Sequence, residues 1–120
     1  MRVLVIEDNE HLRVEMCGFL ARRSHDVVAC ASIAEGRAVT LAPGAAGAVE
    51  AIICDVNLPD GNGIDFCAET APLLPDRRWV LLSGRHEPEQ LSRLKEVMVQ
   101  AIIVDKPVSL RVIEGALSAP

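Results

Sequence analysis

Short apolar runs alternate along this chain with longer segments in which apolar residues recur every three or four positions. A continuous apolar run is typical of a strand buried on both faces of a sheet, and the longer spacing is typical of a helix that buries one face. The predicted strands are Val3–Ile6, Val27–Ala31, Ala51–Cys54, Val80–Leu82 and Ala101–Val104. The pattern therefore predicts five strands with helices between them.

Capping residues and prolines mark where the predicted helices begin. Asn9 and Ser109 are candidate N-caps, and Ser32 with Glu35 has the spacing of a capping box. A third helix is predicted from about Gly63 to Leu73. Pro88 suits the first turn of a fourth helix, whose apolar face carries Leu91, Leu94 and Met98.

Strand–helix alternation with apolar strands predicts an α/β fold, a parallel sheet covered by helices on both faces. Right-handed crossovers leave few topologies, and we predict a doubly wound five-stranded sheet of order 2-1-3-4-5. A chain of 120 residues is long enough for one core. We therefore expect residues 1–120 to form one domain, with no second domain in this chain.

Composition narrows the possible partners. The net charge is −5, whereas a nucleic-acid-binding protein typically carries a basic surface. The apolar runs are too short to span a bilayer, and the run before Glu7 is too short for a secretory signal, so we expect a cytoplasmic protein. The four cysteines show no Cys-x-x-Cys pairing and are predicted to be free thiols.

Polar residues follow four of the five predicted strands. Because parallel strands place their carboxyl ends at one edge of the sheet, these residues should converge there. They are Glu7 and Asp8 after the first strand, Asp55 after the third, Ser83 after the fourth and Lys106 after the fifth. Asp60 and Asp65, in contrast, are interpreted as solvated loop residues.

Three neighbouring carboxylates repel one another and need a cation to stay ionised. Oxygen ligands without a His or Cys cluster suit Mg²⁺, with Mn²⁺ as an alternative. We expect Asp8 and Asp55 to be direct ligands, Glu7 to act through water, and Asn57 to contribute its backbone carbonyl. A free oxygen of Asp55 could then attack phosphorus and form an acyl phosphate, with Lys106 neutralising the transferring group.

Four segments, taken together, resemble the response regulator receiver family of two-component signalling, which has a flavodoxin-like fold. They are Val3–Asn9, Asp55–Pro59 with Gly63 beyond it, Leu81–Gly84, and Asp105–Pro107. The resemblance implies that Asp55 is phosphorylated by a sensor histidine kinase or a histidine phosphotransfer protein. It also implies that Ser83 and Lys106 bind the phosphoryl group, that Asn57 and Arg85 tune its loss, and that the peptide bond before Pro107 is often cis.

The resemblance also implies a route for output. Phosphorylation would change the face formed by the fourth helix, fifth strand and fifth helix, which would bind a downstream effector or an output domain missing from this chain. Homodimerisation through this face is common in the family. The chain departs from the family at Val99, Gln100 and Ile103, where Ile103 replaces an aromatic residue that couples the site to the surface.

Other functions fit the residues less well. No substrate-turnover enzyme is expected beyond self-catalysed phosphorylation and slow dephosphorylation, because a haloacid-dehalogenase-type phosphatase would need an acid–base Asp where this chain has Asn57. A nucleotide or flavin module would need a phosphate-binding loop where Glu7 and Asp8 lie. A receiver-like interaction domain regulated without phosphorylation remains the alternative.

Overall fold

A computed structural model describes residues 1–42, 49–84, 92 and 101–118 of the chain. The predicted fourth helix with Leu91, Leu94 and Met98 lies outside these residues, as do Arg85, Val99 and Gln100. The helices are α1 (Glu10–Arg22), α2 (Ile33–Leu41), α3 (Gly63–Thr70) and a C-terminal helix (Leu110–Ser118). The strands of the main sheet are β1 (Arg2–Ile6), β2 (Asp26–Cys30), β3 (Ala51–Asp55), β4 (Arg78–Ser83) and β5 (Ala101–Asp105).

The five strands form one parallel sheet in the order β2-β1-β3-β4-β5, which confirms the predicted doubly wound topology. The register places Ile6 beside Cys54 and Asp55 beside Leu82, so β1, β3 and β4 end at nearly the same level. This level is the edge at which the polar residues were expected to meet.

The core lies on both faces of the sheet. On one face, Ile33 of α2 and Phe66 of α3 pack with strand residues such as Ile52. On the other face, Met16 of α1 and Ile113 of the C-terminal helix pack with Val5 and its neighbours. The helices therefore cover both faces, as the continuous apolar strands predict.

Local signals determine where the helices begin and end. The side chains of Asn9, Ser32 and Ser109 accept hydrogen bonds from backbone N–H groups of the first helical turns, which confirms all three predicted caps. The prediction of one helix from Gly63 to Leu73 was wrong in its last turn. Residues Ala71–Leu73 form a 3-10 turn around Pro72, which cannot donate the backbone hydrogen bond of an α-helix.

The structure also bears on the predictions about membrane spans and cysteines. None of the helices described is both long and apolar enough to cross a membrane. All four cysteines are free, as predicted, and three of them are buried.

Candidate functional site

The sheet brings Glu7, Asp8 and Asp55 together at the carboxyl edge. One carboxylate oxygen from each lies within 4.8 Å of the other two. Glu7 and Asp55 are almost completely buried, whereas Asp8 is exposed to solvent. The cluster is thus a partly enclosed, negatively charged site that opens to solvent beside Asp8.

Lys106 supplies a positive charge to this cluster. Its Nζ lies 2.9 Å from Asp55 Oδ2 and 3.4 Å from Glu7 Oε1. Partial burial alone would lower the pKa of Lys106, but the hydrogen bond and charge of Asp55, together with the charge of Glu7, outweigh it and raise the pKa. Lys106 therefore stays protonated and offsets part of the negative charge. It follows β5 directly, and its backbone N–H donates to the carbonyl of Ser83 at 2.9 Å.

Glu7 shows how crowded the carboxylates are. Burial, followed by the neighbouring Asp55, raises its pKa from 4.5 to about 7, although the N–H of Asn9 donates to Glu7 Oε2 at 3.2 Å and opposes the shift. Its buried Oε1 has no hydrogen-bond partner beyond the 3.4 Å ion-pair contact with Lys106. A buried carboxylate oxygen without a hydrogen bond is costly, so this position favours a further cation.

The donor set fits a hard divalent cation. All the grouped donors are carboxylate oxygens, and the exposed Asp8 leaves room for bound water. Mg²⁺ prefers such oxygen ligands, usually one or two carboxylates with several waters. Asn57 lies two residues beyond Asp55, and its N–H donates to Asp55 Oδ1 at 3.2 Å, which places the backbone nitrogen of Asn57 beside the cluster.

The backbone around Asp55 is held by close packing. The N–H of Gly63 donates to the carbonyl of Val56 at 2.8 Å. A Cβ atom at Gly63 would overlap the carbonyl oxygen of Asp55 and lie 2.9 Å from its carbonyl carbon. Only glycine allows this approach without displacing backbone. Gly63 thus fixes the peptide unit that carries the central carboxylate.

Of the other predicted residues, Ser83 and Lys106 lie where their strands end, and Ile103 lies within β5. Ser83 is buried at the end of β4, and the Lys106–Pro107 peptide bond is cis. Ile103 is partly buried and packs on the α2–α3 side of the sheet. Asp65 lies in the first turn of α3 and is partly buried, so its interpretation as a solvated loop residue was wrong.

Sequence reasoning missed the roles of two residues. Asp60 is exposed, as predicted for a loop residue, but that interpretation was incomplete because its two oxygens accept hydrogen bonds from the N–H groups of Ile33 and Ala34, both at 2.9 Å. These bonds lower the pKa of Asp60. Arg13 of α1 donates from Nη1 to the carbonyl oxygen of Glu7 at 2.9 Å. Its place one turn into the helix after the acidic pair was the only sequence signal for this contact.

Comparisons with known proteins agree with this architecture. The sequence profile of the family described as response regulator receiver domain matches residues 3–118. The chain is 33% identical over 93 residues to the DNA-binding transcriptional activator DevR/DosR of Mycobacterium tuberculosis, a match that covers 76% of this chain and 41% of that protein. The chain therefore corresponds to less than half of DevR/DosR.

Solved structures show the same fold. A CheY-like receiver domain protein from Methanospirillum hungatei superposes with a TM-score of 0.84 at 20% identity, over 97% of this chain and 89% of that one. A response regulator from Burkholderia pseudomallei, solved with a phosphorylated aspartic acid, a calcium ion and citrate, gives a TM-score of 0.81 at 24% identity, over 98% and 66% of the two chains. With a family profile that spans nearly its whole length, this chain belongs to the response regulator receiver domain family.

Proposed function

We propose that this receiver domain is a phosphorylation-dependent signalling switch in which Asp55 accepts a phosphoryl group. One observation carries the proposal. Asp55 is a buried carboxylate, 2% exposed, whose Oδ2 lies 2.9 Å from Lys106 Nζ within the cluster of Glu7 and Asp8. A carboxylate held beside a cation at the mouth of a parallel sheet is suited to nucleophilic attack on phosphorus.

The reaction transfers a phosphoryl group from a phosphohistidine. A carboxylate oxygen of Asp55 attacks phosphorus, the P–N bond breaks, and the imidazole nitrogen keeps the electron pair. The N–H of Asn57 and the ammonium of Lys106 hold the two oxygens of Asp55 during the attack. The hydroxyl of Ser83 then donates a hydrogen bond to a phosphoryl oxygen. In the slow hydrolysis that follows, water attacks phosphorus, the P–O bond to Asp55 breaks, and inorganic phosphate leaves, which restores the carboxylate. Asn57 and Arg85 tune the rate of this step.

The site would also hold a divalent cation. Asp8, Asp55 and the carbonyl of Asn57 would bind Mg²⁺ directly, Glu7 would bind it through water, and Mn²⁺ suits the same oxygen ligands. When bound, the ion supplies positive charge to the phosphoryl oxygens. The buried Oε1 of Glu7, which has no hydrogen-bond partner and only the 3.4 Å ion-pair contact with Lys106, and the close grouping of the three carboxylates support this assignment.

The proposed partners follow from the family. The phosphoryl donor is a sensor histidine kinase or a histidine phosphotransfer protein, and both would meet the domain in the cytoplasm. The receiver of the signal is a downstream effector or an output domain outside this chain, reached through β5, the C-terminal helix and the segment before β5. Ile103 would shift its packing when the site changes, and the same face could pair two copies. With a net charge of −5, this chain itself is not expected to contact DNA.

Intact-protein mass spectrometry after incubation with acetyl phosphate and Mg²⁺ tests the proposal. We expect a gain of one phosphoryl group in the wild-type chain and none in Asp55→Asn or in the presence of EDTA. A gain that persists in Asp55→Asn would assign the acceptor elsewhere. If the mass increases neither with acetyl phosphate nor with any of a panel of phosphorylated kinases, an interaction domain regulated without phosphorylation is favoured.

A further inference from the structure

Arg13 joins helix α1 to the loop that carries the two acidic residues. Its Nη1 lies 2.9 Å from the carbonyl oxygen of Glu7 and 3.5 Å from that of Asp8. One guanidinium nitrogen therefore spans two consecutive peptide units. Hydrogen bonds from a charged donor are stronger than those between neutral groups, so this contact constrains the loop from the helix side.

The rest of the loop is anchored by backbone bonds at its two ends. The N–H of Glu7 donates to the carbonyl of Cys30 in β2 at 3.0 Å, and the N–H of Arg13 donates to the carbonyl of Asn9 at 2.9 Å. Asp8 lies between these anchors and is exposed. Arg13 Nη1, 3.5 Å from the carbonyl oxygen of Asp8, ties the Asp8 peptide unit to α1.

We propose that Arg13 is a positioning residue for the divalent cation, holding the backbone of Glu7 and Asp8 so that their carboxylates face Asp55. The inference rests on the proposed function of the site. Arg13 binds the ligand residues through their carbonyl groups, so it acts on the cation only through them. Residues that orient metal ligands in this way typically change metal affinity by about 10–100-fold when they are removed.

The direction in which the Mg²⁺ affinity changes when Arg13 is replaced separates the effect of its charge from the effect of positioning. A positive side chain near the cluster repels Mg²⁺, so loss of charge alone would strengthen binding. Loss of positioning would weaken it. The two effects have opposite signs, and a weaker affinity in Arg13→Met would identify positioning as the larger one.

Isothermal titration of metal-free protein with MgCl₂ would measure this effect in the wild-type chain, Arg13→Met, Arg13→Lys and Arg22→Met. Arg22 is exposed at the far end of α1, so Arg22→Met makes the same change in charge away from the loop. We expect Kd to rise about tenfold in Arg13→Met, to rise less in Arg13→Lys, and to stay unchanged in Arg22→Met. In acetyl phosphate assays, the half-saturating Mg²⁺ concentration should rise while the rate at saturating Mg²⁺ is retained.

Several results would overturn the inference. Equal or tighter Mg²⁺ binding by Arg13→Met would mean that positioning is not the dominant role of Arg13. If circular dichroism shows that Arg13→Met does not fold, Arg13→Lys decides the question, and wild-type affinity in that variant would contradict the inference. Absence of Mg²⁺ binding by the wild-type chain would overturn both the inference and the proposed cation site.

Discussion

At the scale of single residues, Glu7 and Lys106 determine how three carboxylates share one edge of the sheet. Lys106 contacts Asp55 and Glu7, yet the pKa of Glu7 is still raised to about 7 by burial and by Asp55. Without a bound metal, Glu7 is therefore partly protonated near neutral pH. The same crowding that would bind a cation reduces the stability of the metal-free protein.

The raised pKa of Glu7 makes a prediction about stability and pH. Below the unfolded-state value of 4.5, Glu7 is protonated in both states, and its favourable contribution is fully present. That contribution is lost as the pH rises from about 4.5 to about 7. In this range the unfolded state releases the Glu7 proton while the folded state still holds it, so rising pH favours the unfolded state. Glu7→Gln should therefore gain stability over the wild type between pH 5 and pH 8, by up to about 3 kcal/mol.

Urea unfolding in EDTA at several pH values would measure this difference. Glu15→Gln is a matched control because Glu15 is an exposed residue of α1 outside the cluster. A difference in the free energy of unfolding between Glu7→Gln and wild type that does not change with pH would contradict the prediction.

Gly63 allows a second prediction about a single residue. In Gly63→Ala, the new methyl group would overlap the Asp55 carbonyl and lie 3.1 Å from Cys54 Sγ. Because backbone must move to relieve this contact, we expect a loss of about 1–3 kcal/mol in the free energy of unfolding and slower phosphorylation of Asp55.

Gly115 provides the control for this substitution. It lies in the C-terminal helix, and a Cβ atom there meets nothing within 4 Å. Gly115→Ala should therefore stabilise the protein by about 0.5–1 kcal/mol. Denaturant unfolding of both variants would measure these changes in the free energy of unfolding. Equal stability of Gly63→Ala and wild type would show that the backbone around Asp55 can move at little cost.

At the scale of elements, a short hairpin connects the site to α2. The hairpin, formed by Asn57–Leu58 and Gly61–Asn62, begins two residues after Asp55. Asp60 at its tip accepts hydrogen bonds from the first two N–H groups of α2, and Ser32 accepts the N–H of Glu35. The hairpin therefore completes the N-terminal cap of α2 from outside the helix.

Removal of this contact should destabilise the protein. Asp60→Ala loses both hydrogen bonds and the negative charge near the positive end of the helix dipole, so we expect about 1 kcal/mol less stability. The loss should diminish as the pH falls through the lowered pKa of Asp60, because protonation removes the same interaction in the wild type. Thermal or urea unfolding at several pH values would measure this loss of stability in Asp60→Ala. Asp26→Ala, which removes an exposed carboxylate 3.7 Å from Arg2, is the control, and an equal effect in both variants would exclude a special role for Asp60.

At the scale of the whole molecule, the sequence predicted the strands, their parallel topology and the site at their carboxyl ends, because these depend on the periodicity of apolar residues. Burial on both faces makes strands such as Val3–Ile6 and Ala51–Cys54 continuously apolar, and a parallel topology then gathers their carboxyl ends, so Glu7, Asp55 and Lys106 could be placed in one site. Contacts between loops and helix ends have no period. Asp60 reaches a helix end 27 residues earlier in the chain, and nothing in the sequence around it indicates that partner.

Cation binding should be linked to the stability of the fold. The proposed ligands come from the ends of β1 and β3, which are adjacent strands of the central sheet. These ligands meet only in the folded state. Mg²⁺ should therefore bind the folded chain in preference to the unfolded one and raise the melting temperature in a concentration-dependent way. At an ion concentration of 100 Kd, the expected gain is about 2.7 kcal/mol.

Differential scanning calorimetry across a MgCl₂ series would measure this gain. Asp8→Asn should lose most of it, because Asp8 is one of the three clustered carboxylates. Asp76→Asn should retain it, because Asp76 precedes β4 at the opposite edge of the sheet, and asparagine tolerates its positive φ of 66°. An equal rise in all three proteins would reflect general screening of the net negative charge and would contradict a specific site. A rise confined to the wild type and Asp76→Asn would show that the carboxylate edge couples cation binding to the stability of the whole sheet.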